Sequence, residues 1–230
     1  MNIAIIPARG GSKRIPRKNI KLFIQKPIIA YSIIAAINSK IFDKIIVSTE
    51  DDEIAEVSKK YGAEIPFIRP TNLADDHTPT IDVINHSIRH LKKNNLKPEL
   101  VCCIYPTAPF INIKDIINGY EKIKNYQWSF VFSAAETPTQ IFRSFENNFK
   151  EGIKMFFPNN YFKRTQDLPK AYFDAGQFYW GRTSSWLEKK EIFNEKSSII
   201  EIPRWKAQDI DTIKDWKNAE IIMENLYDNL

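Results

Sequence analysis

At 230 residues the chain has room for one domain with a buried core, and its hydrophobic fraction of 43% is ordinary for a globular protein. No apolar run approaches membrane-span length, and the basic residues near the start follow the short Ile3–Ile6 run instead of preceding it, unlike a signal peptide. The formal charge of +5 is mild for a nucleic-acid binder, so the composition argues for a cytoplasmic protein that meets neither nucleic acid nor membrane.

The first half alternates strand and helix patterns. Ile3–Ile6 reads as a buried strand, Pro27–Ser39 as a helix with Pro27 in its first turn, and Lys44–Ser48 as a second strand. A helix over Asp51–Tyr61 is stopped by Gly62, and Ile65–Ile68 reads as a short strand. A helix follows Pro79 to Lys93, then a strand at Leu100–Ile104, a helix at Asn112–Lys124 and a strand at Phe130–Ala134. Cys102 and Cys103 are neighbours on a strand, so they face opposite ways and cannot pair. This order predicts an α/β fold: a Rossmann-like, mainly parallel sheet flanked by helices. Ligands of such sheets sit beyond the C-terminal strand ends, here Pro7–Asn19, Ser48–Asp52 and Tyr105–Phe110.

The pattern changes near Glu136. Residues 139–172 hold Phe142, Phe145, Phe149, Phe156, Phe157, Tyr161 and Phe162 without a clean period, and read as an inserted arm. Its aromatics need a surface to cover them, either a second subunit or their own domain. Strand-like Gln177–Trp180 and Ile199–Ile202 follow, then a helix over Thr212–Leu226. The whole of 1–230 reads as a single domain carrying that arm.

The stretch IAIIPARGGSKRIPRKNI, Ile3 to Ile20, joins a strand to glycines and five basic residues. It fits neither the Walker spacing nor the dinucleotide fingerprint. Glycines after a first strand still let backbone amides approach phosphate, with Arg9 and Lys18 adding charge. An ordinary surface turn is the plain alternative. Near the other end, Asp209 and Asp211 sit at i and i+2 of an extended segment, on one side, with Ile210 pointing inward. Two such carboxylates suit a hard divalent cation; helix capping by Asp211 is the alternative. His86 and His90 lie four apart but lack the glutamate of a metalloprotease motif, and His77 sits in a polar loop, so no general base is assigned.

Ala8, Arg9, Gly11, Ser12, Lys13, Lys18 and Asn19 together resemble the nucleotide-binding loop of the cytidylyltransferases that activate acidic sugars. RPTNLADDHTPT (Arg69–Thr80), YPTAPF (Tyr105–Phe110) and QDIDTIKDW (Gln208–Trp216) are similar to further segments of that family. The resemblance implies a reaction of CTP with the anomeric hydroxyl of a sugar acid, releasing pyrophosphate, in a homodimer using Mg²⁺ or Mn²⁺. It implies a nucleotide site of Ala8, Arg9, Gly10, Gly11, Ser12, Lys13, Lys18, Asn19, Arg69, Thr78, Thr80, Pro106 and Thr107. Arg9, Lys18, Asp209 and Asp211 are its implied catalytic residues, the last two holding metal. Tyr105 and Asp174 are implied near the sugar; Arg143 and Arg164 of the arm are candidates for its carboxylate, with solvated arginines as the alternative, and Gln177 and Tyr179 for its hydroxyl or acetamido groups, with core packing as the alternative for Tyr179. Arg14 and Arg17 match no fixed position and read as rim charges.

RTQDLPKAYFDAGQFYWG (Arg164–Gly181) and YPTAPF resemble the branch acting on pseudaminic acid, a nine-carbon acid used on surface glycans and flagellin. Sialic, legionaminic or keto-deoxyoctonic acid is the alternative substrate. Sialic acid enzymes usually carry Asn-Gly where Ala175-Gly176 stand, and Gln in place of Tyr105. A binding-only relic of the fold is disfavoured by the intact acidic pair, and a nucleic-acid binder by a basic patch without interleaved aromatics.

Overall fold

Ile3, Ala4, Ile5 and Ile6 are wholly buried, as befits a strand covered on both faces. In the computed structural model, which describes residues 1–137 and 141–227, they lie in β1 (Asn2–Pro7). A small hairpin of β2 (Leu22–Phe23) and β3 (Lys26–Pro27) leads into α1 (Ile28–Ser39), β4 (Lys44–Ser48), α2 (Asp52–Lys60) and α3 (Thr80–Lys93). Next come β5 (Leu100–Ile104), α4 (Ile113–Asn125), β6 (Phe130–Glu136) and a hairpin of β7 (Phe145–Asn148) and β8 (Gly152–Met155). The chain closes with β9 (Tyr172–Arg182), α5 (Thr183–Leu187), β10 (Ser197–Glu201) and α6 (Ile213–Tyr227).

Among the described residues the main sheet runs β10-β6-β9-β5-β1-β4. β5, β1 and β4 are parallel to one another, and β6 is parallel to β10. β9 runs against both of its neighbours, β5 and β6. Among the described residues no α-helix separates β6 from β9, where the β7–β8 hairpin and short 3-10 turns stand instead, and a return without a helical crossover allows an antiparallel pair.

Helix starts follow local chemistry. Asp51 caps α2 by accepting from the Ile54 amide, and Asn112 caps α4 by accepting from the Lys114 amide. Gly62, at φ +96°, ends the α2 turn as expected. Ile65–Ile68 is not a strand: a single bridge joins Glu64 to Ile46, and Pro66 has no N–H to continue a ladder. β9 and β6 run longer than their apolar centres suggest. Between Phe132 and Ala134 the register slips, and the Ser133 hydroxyl there accepts from the amides of Gln177 and Phe178, both 3.3 Å away.

The sheet separates two apolar layers. Cys102 joins Ile6, Ile29, Ile33, Ile116 and Trp180 on the α1 and α4 side; Cys103 joins Ile5, Ile84, Ile88, Tyr179 and Trp186 on the α3 and α5 side. α4 approaches so closely that a Cβ on Gly119 would lie 2.8 Å from the Trp180 ring. A third cluster lies beyond the strand ends. There Ile15, Phe23, Ile28, Phe110, Ile210, Trp216 and Met223 pack together, so α6 and the acidic segment before it are clamped onto the basic loop. The predicted arm contains the β7–β8 hairpin, while its starting residue Thr139 lies outside the described residues.

Candidate active site

The glycine-basic loop leaves β1 where β4 also ends. The amide of buried Ala8 donates to the Ser48 carbonyl at 3.0 Å. The Gly10 amide donates to Glu50 Oε1 at 2.8 Å, and any Cβ at Gly10 would run into the Asp51 carboxylate. Buried Ile15 anchors the middle of the loop in the third cluster. Arg17 takes a left-handed φ of 56° and forks onto Asp51, with 2.5 and 2.8 Å bonds. Its guanidinium holds the Asp51 carboxyl down at about 2. Arg17 is therefore a brace between loop and helix, and its rim position is structural. Asn19 is buried, and its amide donates to the Arg9 carbonyl at 2.9 Å, closing the loop on itself.

This loop forms one wall of a cavity of about 520 Å³ at the strand ends. Arg9, Ser12, Lys13, Lys18, Asn19, Arg69, Thr78, Thr80, Tyr105, Pro106, Thr107 and Asp211 all line it. Ala8, Gly10 and Gly11 belong to the same loop but do not line the cavity, and Gly11 is exposed. Of the three loops expected beyond the strand ends, Pro7–Asn19 and Tyr105–Phe110 line the cavity, while Ser48–Asp52 supports the first of them through Glu50.

Every cation here faces a carboxylate from elsewhere in the chain. Arg9 and Lys13 hold the two oxygens of Asp76, at 2.8 and 2.6 Å. Lys18 donates to the Ile210 carbonyl at 2.8 Å and lies 3.3 Å from Asp211, whose other oxygen takes Arg14 at 2.8 Å. Arg69, only 3% exposed, donates to the Ala8 carbonyl at 2.9 Å and to Glu50 at 2.7 Å. Glu50 therefore ties the loop backbone to the Arg69 segment, a role that STEDD at the end of a strand did not advertise. Arg14 also departs from its expected place: it lines the cavity and meets Asp211.

The acidic segment is held from both sides. Ile210 is buried, and a reciprocal box caps α6: Thr212 N donates to Asp215 Oδ2 at 2.8 Å, and Asp215 N to Thr212 Oγ1 at 3.2 Å. Thr212 does the capping, which leaves the Asp211 carboxylate for the cavity. Asp209 is exposed and does not line the cavity. Its carboxyl is pushed above the usual range, first by desolvation and next by the charge of Asp211. A divalent cation relieves that like-charge pressure. Among the described residues no three His, Cys, Asp or Glu side chains converge, so a metal here would take its remaining ligands from phosphate and water, as Mg²⁺ commonly does.

The residues expected at the sugar divide. Tyr105 lines the cavity, its hydroxyl 3.2 Å from Thr80 Oγ1 and its phenol pushed up by burial. The Tyr179 ring lies 5.3 Å from it, and the Tyr179 hydroxyl donates to Asp174 at 2.5 Å. Gly176, at φ +62°, lets its amide turn back onto Asp174. Buried Gln177 donates to the Lys206 carbonyl at 2.7 Å and stands outside the cavity. Arg143 and Arg164 are exposed on the arm, Arg164 paired with Asp167, and neither lines this chain's cavity. His86 and His90 flank the Phe67 ring, and His77 is exposed.

A cavity whose walls alternate cation and carboxylate suits a polyanion that arrives with a counter-cation, such as a metal-bound polyphosphate. The comparisons agree with that chemistry. A family model described as cytidylyltransferase matches residues 3–226. A pseudaminic acid cytidylyltransferase of Campylobacter jejuni is 48% identical over 96% of this chain and 95% of its own length. A CMP-N,N'-diacetyllegionaminic acid synthase of Legionella pneumophila is 30% identical over 96% of each. The same fold appears in a CMP:2-keto-3-deoxy-manno-octonic acid synthetase solved with CTP, at a TM-score of 0.71 and 13% identity, covering 97% of this chain and 98% of that one. Strand order, loop chemistry and similarity along nearly the full length converge: the chain belongs to the cytidylyltransferase family.

Proposed function

We propose that this protein transfers CMP from CTP to the anomeric hydroxyl of pseudaminic acid and releases pyrophosphate. Near-half identity along almost the whole length of the Campylobacter enzyme carries this reading. The mixed-charge cavity supports it with a site of suitable size and sign.

In this reading Gly11 offers its amide and Ser12 its hydroxyl to the triphosphate, and Arg9, Lys13 and Lys18 offer charge; the Gly10 amide is held by Glu50 and the Ser12 amide by the Gly10 carbonyl, so the expected cradle of three amides narrows to one. Ala8, Asn19, Arg69, Thr78, Thr80, Pro106 and Thr107 surround the nucleoside, with Arg69 acting from behind through its bonds to Ala8 and Glu50. Tyr105 meets the sugar acid, backed by Tyr179 and Asp174, while Gln177 fixes the strand that carries them. Asp209 and Asp211 would hold Mg²⁺ or Mn²⁺, which when bound neutralises phosphate oxygens. The protein's own part is alignment: it holds the α-phosphorus in line with the sugar hydroxyl and screens the charge developing on pyrophosphate with Lys18 and Arg9.

The arm's exposed aromatics and arginines fit a homodimer in which the arm covers a second subunit and brings Arg143 and Arg164 toward its sugar carboxylate. Use of CTP fits the cytoplasm, and among the described residues no helix is long and apolar enough to cross a membrane. The substrate is tested by pyrophosphate release from CTP and Mg²⁺ with pseudaminic, legionaminic, N-acetylneuraminic and keto-deoxyoctonic acids in parallel. At least 100-fold higher kcat/KM for pseudaminic acid is expected. Equal or better turnover of any other acid overturns the substrate reading.

A further inference from the structure

Three carboxylates neutralise the cations that line the cavity, and they differ in how firmly they are held. Glu50 is largely buried, 15% exposed at its side chain, and ties together Gly10, Arg69 and through it Ala8. Asp211 is fixed by buried Ile210 on one side and the Thr212–Asp215 box on the other. Asp76 has neither support. It lies in the irregular segment between Leu73 and Thr80, its side chain 35% exposed, between residues whose own bonds are local. Asp75 caps a tight turn by accepting from the amides of His77 and Thr78, and His77 points to solvent.

Asp76 nevertheless lines the cavity. One oxygen takes Arg9 and the other takes Lys13, a bridging geometry that a phosphate group with two free oxygens also satisfies. Lys13 is 82% exposed and has no support of its own in this ion pair. These two cations cannot serve Asp76 and a polyphosphate fully at once.

We propose that Asp76 is a displaceable counter-ion: it occupies Arg9 and Lys13 in the free protein, is expelled by the polyphosphate of the incoming nucleotide, and returns as pyrophosphate leaves. This rests on the loop being a triphosphate site, as proposed above. Asp76 thereby lowers affinity for the polyphosphate, and the loop's cations do not hold the product as tightly as their number suggests. It is a positioning residue and makes no bond to the reacting atoms. Because both partners are partly exposed, its competition is screened by salt.

The sign of one substitution tests this. Calorimetric titration of the whole protein with CTP, and separately with inorganic pyrophosphate, compares wild type with Asp76→Asn and Asp76→Glu. Asp76→Asn keeps the shape and the fold of an exposed turn, and is expected to bind both probes about five-fold more tightly in low salt. The gap shrinks at about 0.5 M NaCl, where the screening length is a few ångströms. Asp76→Glu retains the charge and stays within about two-fold of wild type. Unchanged or weaker binding by Asp76→Asn overturns the counter-ion role, and so does a gain that ignores salt. If wild type and both variants bind neither probe, the triphosphate reading of the loop falls as well, and the two failures are thereby told apart.

Discussion

The basic loop and the aromatic arm are opposite solutions to the problem of unsatisfied groups. In the loop, Arg9, Lys13, Arg14, Arg17 and Lys18 each meet a carboxylate contributed by a different segment of the same chain, as does Arg69 beside it. In the arm, Phe149 and Phe162 are more than nine-tenths exposed, and Phe145, Ile153, Phe156 and Tyr161 more than half. One region is finished within a single copy. The other presents apolar surface that a lone copy leaves to water. Function that depends on the loop should therefore answer to single charges, and function that depends on the arm should answer to protein concentration.

The largest expected effect breaks the loop at its junction with the acidic segment. Asp211→Ala removes the partner of Lys18 and Arg14 and half of the proposed metal pair. Turnover is expected to fall at least 100-fold at millimolar Mg²⁺ with an unchanged circular dichroism spectrum. Near-wild-type rates in that variant remove Asp211 from the chemistry. An intermediate effect tests the arm. Phe149→Ser combined with Phe162→Ser is expected to raise the dimer dissociation constant about 100-fold, halving the mass seen by light scattering at micromolar protein. A wild-type chain that is monomeric at that concentration ends the dimer proposal outright.

The smallest effect separates bracing from binding. Arg17 holds the Asp51 carboxyl at about 2, below its ordinary value of 3.8. A carboxyl depressed by folding stabilises the native state above its unfolded pKa, and that contribution fades as pH falls from about 4 toward 2. Asn at position 51 still caps α2, so Asp51→Asn isolates the ion pair. With Arg17 38% exposed and screened by solvent, the variant should be less stable by about 1 kcal/mol at pH 7 in urea denaturation. At pH 2.5 the two proteins should differ by less than half of that. A gap that persists unchanged at pH 2.5 would mean that the brace acts through shape instead of charge.

Much of this architecture was legible in the sequence because its signals are local. Apolar runs and Gly62 as a stop fix most elements to within a residue or two, and the expected helix starts at Asp51 and Asn112 fall on the residues that cap α2 and α4. The strand expected at Ile65–Ile68 failed because Pro66 removes a ladder donor, a fact visible in the sequence but outweighed there by the apolar residues around it. For the loop and the DID segment, residue type and order alone carry charge and alternation, yet of the acidic pair only Asp211 lines the cavity. Glu50 was not legible. Its importance lies in reaching Gly10, forty residues earlier, and Arg69, nineteen later, which is a property of strand order. The pairing of Arg14 is hidden for the same reason: nothing in its neighbours reveals that Asp211, nearly two hundred residues away, comes within 2.8 Å.

The adjacent thiols of β5 have a use beyond filling space. Cys102 and Cys103 are both wholly buried, one in each apolar layer, and burial pushes both thiols up, away from the reactive thiolate. An alkylating reagent therefore reaches neither while both layers stay closed. Opening of the α1 and α4 layer alone would mark Cys102, and opening of the α3 and α5 layer alone would mark Cys103. The proportion of singly to doubly labelled chains thus records whether the two halves of the core come apart together, with no probe added to the molecule.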